Sequence, residues 1–453
     1  MDTISDFFSL LSGWLWNWPM IVLLLGTHVF LTFWLRVPQR KLLTGIRLSV
    51  KKDPSANGEV SQFGALATAL AATIGTGNIV GVATAVALGG PGAVFWCWLT
   101  GIFGMSTKYA EALLAVKYRV KGSDDRWYGG PMYALERGLH MKWLAIIFAA
   151  VTALASFGIG CTVQANSIAL LASETFGVAP WAVGLFVCLL TAVVILGGVK
   201  SIARVCGVLV PVMAAIYVLG CLVILVLNAD YVWPAIKLIV SSAFNTSAAG
   251  GGFLGGTMMV AARYGIARGL FSNESGLGSA PIVAAAAQTR NPVRQALVSS
   301  TATFWDTVVI CALTGIVLVS SVLAYPDISA ADGAALTKVA FSKIPYVGAP
   351  LLTFGILTFA FSTILGWSYY GESAVNYIEG RRINRFYRIL FIVALFFGSI
   401  ISLDIIWGIA DCMNALMAIP NLVAVLLLSG VAARETQRYL WSDRLEDNME
   451  EEP

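Results

Sequence analysis

Three stretches of this chain carry side chains whose types and spacing suit the capture of a small charged solute. In the first, Thr73, Ile74, Gly75, Thr76, Gly77 and Asn78 interrupt a long apolar run. In the second, Ser272-Asn273-Glu274-Ser275-Gly276 and Gly278-Ser279 do the same after Gly269-Leu270-Phe271. Each such glycine costs about 1 kcal/mol of helix propensity relative to alanine, so both runs are expected to break. A break frees N–H and C=O groups that hydrocarbon cannot satisfy. The positive end of a half-helix suits a carboxylate, and freed carbonyls suit a sodium ion. A zwitterionic amino acid with Na⁺ fits that set of partners. Gly75 and Gly77 would leave backbone amides uncovered and limit the room for a bulky side chain.

The third stretch is Phe359-Ala360-Phe361-Ser362-Thr363, followed by Gly366-Trp367. Its adjacent hydroxyls either bond back to their own helix or act as hard oxygen ligands for a small cation. Gln164 and Asn166 add carboxamides to another apolar run. Residues two apart face different sides of a helix, and Gln164 is favoured for the site. Glu274, with Arg268 before it, is an intramembrane charge and hence a functional candidate; as a proton carrier it would make the coupling ion H⁺. Asp306, Glu372, Asp404 and Asp411 lie near or within spans, with ion pairing or a helix end as the simpler account.

The elements that must position these residues follow from composition. Of 453 residues, 58% are hydrophobic and 12% charged, with a mean hydropathy of +0.79. A soluble domain carries about 25% charged residues, so much of this surface faces lipid. Continuous apolar runs exclude a transmembrane β-barrel and indicate an all-α integral membrane protein in the lipid bilayer. About eleven spans are expected, near 18–36, 61–88, 92–117, 143–173, 180–198, 205–228, 250–288, 295–324, 347–378, 386–402 and 405–431. The longer connections are 37–60, 118–142, 229–249 and 325–346. The acidic end, 443–453, reads as solvated and frayed.

Lysines and arginines cluster after odd-numbered spans, as in Arg36, Arg40, Lys41 and Arg47, while the even-numbered connections are nearly bare. The positive-inside rule then puts the N-terminus outside and the C-terminus in the cytoplasm. Spread over many loops, the net charge of +4 signals topology and no nucleic-acid partner. The two broken runs are five spans apart, which gives the halves opposite orientation. Paired interruptions in inverted halves point to a transporter's binding site. Cysteines 97, 161, 188, 206, 221, 311 and 412 sit in apolar runs, odd in number and without a C-x-x-C pair. Neither a disulfide framework nor a thiolate site is indicated. With only His28 and His140, a histidine metal or acid–base site is not expected. No nucleophile–base pair suggests an enzyme, and no continuous polar path suggests a channel.

At Ala71–Asn78, Tyr128-Gly129-Gly130-Pro131-Met132-Tyr133, Phe271–Pro281 and Leu365–Glu372 the chain resembles the alanine or glycine:cation symporter family over essentially its full length. The resemblance implies the five-plus-five inverted-repeat fold of the leucine transporter, with one extra helix at 18–36. The repeats would cover 61–228 and 250–431 of a single domain, 1–453, with a tail at 432–453. It implies sodium-coupled import of alanine or glycine by alternating access. The alternative is proton-coupled import of the same or another small solute; no organic cofactor is expected, and the short loops suit a bacterial inner membrane. A sodium ion would be held by the carbonyls of Ala71, Ile74 and Phe359 and the hydroxyls of Ser362 and Thr363. The substrate carboxylate would meet the amides of Gly75, Thr76 and Gly77 with Gln164 as donor. The ammonium would meet carbonyls near Phe271 and the Asn273 side chain. Phe271, Ile74 and Trp367 would wall the pocket, and Thr73 and Asn78 are the candidates for a second sodium.

Overall fold

Long apolar runs in a bilayer fold as helices because only a helix satisfies its own backbone there. The computed structural model describes residues 2–51, 53, 56–122, 125–244, 257–325, 328, 333–401 and 404–449. Helices α1 (Asp2–Leu15), α2 (Trp18–Trp34) and α3 (Leu42–Val50) lead to the first broken run. That run forms α4 (Gln62–Thr73) and α5 (Val82–Gly89), followed by α6 (Gly92–Lys117). A two-residue-per-strand hairpin, β1 (Val120–Lys121) and β2 (Trp127–Tyr128), sits in the next connection. Then come α7 (Lys142–Phe176), α8 (Pro180–Leu196), α9 (Gly198–Leu227) and α10 (Ala229–Ser242). The second broken run gives α11 (Met258–Asn273) and a single turn, α12 (Pro281–Ala284). The chain continues through α13 (Pro292–Ala324), α14 (Gly333–Ser342), α15 (Gly348–Glu379), α16 (Asn384–Gly398), α17 (Asp404–Leu427) and α18 (Ser429–Thr436).

Among the described residues five helices are long and apolar enough to cross a membrane, or up to seven if each bent pair is one span. One bent pair is α4 with Gly77–Gly89, turned by 53° at the expected break. Small residues set the packing. Gly265 and Gly269 bring α11 against α6, so close that an added Cβ would lie 2.2 Å from the Ala93 carbonyl or the Thr100 hydroxyl. This is the small-xxx-small device of membrane helices. α6 also packs along α13, while α15 packs along α7, α9 and α4, and α16 on α8. All seven cysteines are buried and free.

The structure departs from the sequence reading in the longer connections, in the second broken run and at the acidic end. The connections at 37–60, 229–249 and 325–346 contain α3, α10 and α14. The second broken run does not resume as a long half-helix. Glu274, Gly276 and Gly278 take positive φ of 52°, 92° and 82°, and beyond α12 the chain pairs as extended backbone, with Val60 bridged to Ala287. Residues 250–256 of that span lie outside the described residues.

The acidic end is fastened up to Met449. Asn291 caps α13 by accepting from the Arg294 N–H at 3.1 Å. Its amide donates to the carbonyls of Leu445 and Asp447 at 3.0 and 2.9 Å, and Met449 N–H reaches the Arg290 carbonyl at 2.7 Å. Glu446 bonds Lys51 at 3.0 Å and Arg294 at 2.7 Å. Lys51 first, and then Arg294, holds the Glu446 carboxyl below the usual carboxylate range. That contact is therefore present above the range and lost as pH falls through the lowered value. Replacing Asn291 with alanine removes one cap and two tail bonds. A loss of about 1–2 kcal/mol is expected, read as a lower melting temperature in detergent with faster hydrogen exchange at Met449. Unchanged exchange would show that the tail is not held this way.

Candidate functional site

Between the broken run of α4–α5, the bend after α11, and helices α7 and α15 lies a small cavity. It is lined by Ala72, Thr73, Gly75, Thr76, Gly77, Ile159, Gln164, Phe271, Ser272, Glu274, Thr363 and Trp367. About 20 Å³ of it is open to the centre of a water-sized sphere, enough for one or two waters at most.

Each wall has a local cause. α4 ends at Thr73 because Ile74 leaves the helix with ψ 93°. The chain re-enters helix at Thr76 and Gly77, whose opening N–H groups have no acceptor one turn back. The Gly75 N–H is taken by the Asn78 side-chain oxygen at 2.9 Å. In α7 a widened turn over Gly158–Thr162 releases the Ile159 carbonyl, which accepts from the Gln164 amide at 3.0 Å. The Gln164 side-chain oxygen is buried and has no partner among the described residues. Asn166 faces away and donates to the Gly398 and Ile401 carbonyls at 3.3 and 2.9 Å. Trp367 rests against Gly160, where a Cβ would lie 2.1 Å from its own Cβ. Its indole N–H donates to Glu274 at 3.2 Å, and Ser279 donates to the other Glu274 oxygen.

A cluster of four oxygens adjoins the cavity. The Ser362 hydroxyl is 3.2 Å from the Ala71 carbonyl and 2.9 Å from the Phe359 carbonyl. The Thr363 hydroxyl is 3.2 and 3.0 Å from the same two. Two hydroxyl protons thus face four short contacts, and each hydroxyl has only one proton to donate. The set is rich in lone pairs and poor in donors. The Phe359 ring does not obstruct it, because it packs on Tyr217 of α9 with ring centres 5.4 Å apart. Gly75 is pressed on the same cluster, since a Cβ there would be 2.8 Å from the Thr363 oxygen.

Of the residues expected at the site, Gly75, Thr76, Gly77, Gln164, Phe271, Trp367, Thr73 and Thr363 line the cavity. Ala71, Phe359, Ser362 and Thr363 meet in the oxygen cluster. Ile74 is buried beside the break without lining the cavity. Asn273 is turned elsewhere: its oxygen accepts from the Ser275 N–H at 2.9 Å and its amide lies 3.5 Å from the Thr100 hydroxyl. Local bonding of Asn to the backbone two residues on is its habit in turns. Thr73 and Asn78 do not come together as a pair. Thr73 bonds back to Ala69 at 3.2 Å, and Asn78 donates to the Asp306 carboxylate at 2.7 Å.

Asp306 was singled out in the sequence only as a charge near a span, and its place at the site was missed. Fully buried, it accepts from Asn78 of the first break, from Ser272 of the second at 3.0 Å, and from Thr307 at 2.6 Å. Its intramembrane charge was the available signal, but nothing in the sequence tied it to both breaks. Ile159 was missed as well, being an ordinary apolar residue until the widened turn exposes its carbonyl.

With this geometry in hand, comparison with known proteins is informative. The model of the Sodium:alanine symporter family matches residues 1–452. The chain is 50% identical over 445 residues to the sodium/alanine symporter AgcS of Methanococcus maripaludis, covering 96% of this chain and 97% of that one. It is 36% identical over 431 residues to the probable sodium/glutamine symporter GlnT of Bacillus subtilis, covering 94% and 88%. The crystal structure of MhsT in complex with L-phenylalanine superposes with a TM-score of 0.54 at 15% identity, covering 86% of this chain and 95% of that one; this likeness concerns the fold alone. The chain belongs to the Sodium:alanine symporter family and is a multi-pass membrane transporter, not an enzyme.

The close approach of α15 to α4 at Gly366 predicts an asymmetry along α15. A Cβ at Gly366 would lie 2.7 Å from the Ala72 Cβ and 2.9 Å from its nitrogen, whereas at Gly355 the nearest atom is Tyr217 Cδ2 at 3.6 Å. Gly366→Ala should cost about 1–3 kcal/mol through overpacking. Gly355→Ala should be neutral or stabilise by up to about 1 kcal/mol. Melting curves of the two purified variants check this, and equal shifts would contradict the packing described.

Proposed function

We propose that this chain imports a small neutral amino acid, alanine or glycine, together with sodium, by alternating access around the central cavity. The observation that carries the reading is the four-oxygen cluster of Ala71, Phe359, Ser362 and Thr363, built from two helices and short of donors. A sodium ion there would be met by two carbonyls and by both hydroxyls rotated to present lone pairs, with the Ile74 carbonyl as the remaining ligand. Sodium is a co-substrate, and the reading calls for no organic cofactor.

The carboxylate of the amino acid would take the uncovered N–H groups of Thr76 and Gly77 at the start of the second half-helix, where the dipole favours an anion. Gln164 stands across from them. For the ammonium, Glu274 replaces Asn273 in this proposal, because Glu274 lines the cavity and Asn273 does not. Trp367, Phe271 and Ile159 would cap side-chain size. Support for the substrate class comes from the relative named as a sodium/alanine symporter.

The same reading takes the eleven spans as an extra helix, 18–36, followed by inverted repeats at 61–228 and 250–431, with the N-terminus outside and the C-terminus in the cytoplasm. The basic residues after odd-numbered spans support that orientation, and the inner membrane of a bacterium is its expected place. Sodium would draw α4 and α15 together, and α4–α5 with α11 would then rock against α15 and the helices α7 and α9 packed on it.

Reconstituted in liposomes, the protein should accumulate labelled alanine when an inward Na⁺ gradient is the sole driving force. Ser362→Ala combined with Thr363→Ala should abolish activation by Na⁺ while the protein still folds, and full Na⁺ activation of that double variant would sink the assignment. Uptake driven by a proton gradient alone, present in the wild type and lost in Glu274→Gln, would instead give the coupling role to Glu274.

A further inference from the structure

One face of α6 carries a charge that the transport reading leaves unused. Gly104, Lys108 and Glu111 follow one another at helical spacing, so they share that face. Gly104 is set against the second break, since a Cβ there would lie 3.1 Å from the Ser275 hydroxyl and 3.5 Å from the Thr303 methyl. Ser275 and Thr303 also meet through their hydroxyls at 3.2 Å, and Asp306 follows Thr303 by one helical turn. At the other end of the face, Glu111 accepts from the Gly276 N–H at 3.0 Å. Lys108 stands between these two contacts, against the bend that carries Glu274.

The lysine is buried, 1% exposed, and its ammonium has no hydrogen-bond partner among the described residues. It lies in electrostatic range of Glu111 on its own helix, Glu274 in the bend after α11, and Asp306 of α13. His28 of α2 is the other titratable group in its range, and the His28 Nδ1 is 2.7 Å from the Thr107 hydroxyl. Each carboxyl group already has donors of its own. Trp367 and Ser279 serve Glu274, Asn78, Ser272 and Thr307 serve Asp306, and Gly276 with Asn421 serves Glu111. Three buried donors without an acceptor are costly. A lysine kept for one ion pair would therefore close on one carboxylate. Lys108 is instead placed among three and bonded to none, so what it supplies to the site is charge.

We propose that Lys108 is a resident counter-charge of the transport site: it stands in for one cation that would otherwise enter with each substrate, and so sets how many cations travel with the amino acid. The inference rests on the transport reading. Without the ammonium, the carboxyl groups at the cavity and between the breaks are neutralised from solution, by one more sodium ion or proton per cycle.

The test uses the purified protein in liposomes, with alanine as the probe and the charge moved per alanine taken from the reversal potential. Wild-type Na⁺-driven uptake is recorded first; its absence would overturn the transport reading and this proposal with it. With uptake intact, Lys108→Gln should carry one more positive charge per alanine than the wild type, and Lys108→Arg should keep the wild-type ratio. An unchanged ratio in Lys108→Gln overturns the proposal. If that variant binds alanine without transporting it, equilibrium binding gives the same count through linkage. The dependences of log Kd on log [Na⁺] and on pH should then together steepen by one cation in Lys108→Gln and not in Lys108→Arg. Unchanged dependences overturn the proposal, as does a loss of alanine binding shared by both variants, which would make the lysine a prop for the bend. Lys108→Met repeats the measurement if Lys108→Gln does not fold, and failure of both to fold assigns Lys108 to stability and overturns the counter-charge.

Discussion

Every N–H and C=O taken out of a helix inside a bilayer must find another partner, and the rest of this structure is arranged around that demand. The breaks after Thr73 and after Asn273 release such groups where water is scarce. Asn78 takes the Gly75 N–H. Glu111 of α6 accepts from the Gly276 N–H at 3.0 Å, while Asn421 of α17 donates to the Gly276 carbonyl at 2.9 Å and to Glu111 at 2.6 Å. The extended segment beyond α12 is served by Arg119, which donates to the carbonyls of Ala285 and Ala287 at 3.0 and 2.9 Å, and by backbone bonds to residues 57–60. Few of the released groups are left for a ligand, and those that remain face the cavity and the oxygen cluster.

Satisfying the breaks also ties them together. Asp306 accepts from one side chain of each, so neither break can change its geometry without disturbing the other. Buried networks of this kind rigidify when every member is paired. Widened helical turns recur where the network meets the helices, at Gly77–Gly81, Gly158–Thr162 and Phe304–Cys311. In α7 the consequence is explicit, because the turn frees the carbonyl that orients Gln164.

How much of this was legible beforehand follows from which interactions are local. The breaks were readable because Gly, Ser and Asn in an apolar run contradict helix propensity on the spot. The Ser362–Thr363 pair was readable for the same reason, and its partners Ala71 and Phe359 came from the family resemblance. Asn273 was misplaced because its short side chain had a nearer acceptor role in its own turn. The collapse of the second half-run to one turn was not legible, since it depends on Arg119 and on residues 57–60, which are remote in sequence. The docked tail was hidden likewise: an acidic end looks solvated until the basic groups of Lys51 and Arg294 are placed beside it. Helices α10 and α14 were passed over because short, mixed-polarity segments give no spanning signal.

The distribution of charge around the site argues for what it would accept. Lys108 of α6 is buried, with its ammonium unpartnered among the described residues. It lies in electrostatic range of Glu111, Glu274 and Asp306. Three carboxyl groups therefore lie within electrostatic range of one ammonium at the centre of the bundle, and where they ionise a further positive charge is more welcome there than a negative one. Under the transport reading this favours the order cation first, amino acid second, since the carboxylate of the substrate enters more easily once the cation is in place. Thr363 belongs to both the oxygen cluster and the cavity wall. Whatever fixes its hydroxyl for one ligand therefore alters the surface offered to the other. Linkage makes that effect reciprocal: an amino acid that tightens the hold on the cation is itself held more tightly by it, which is the thermodynamic content of symport at a single shared side chain.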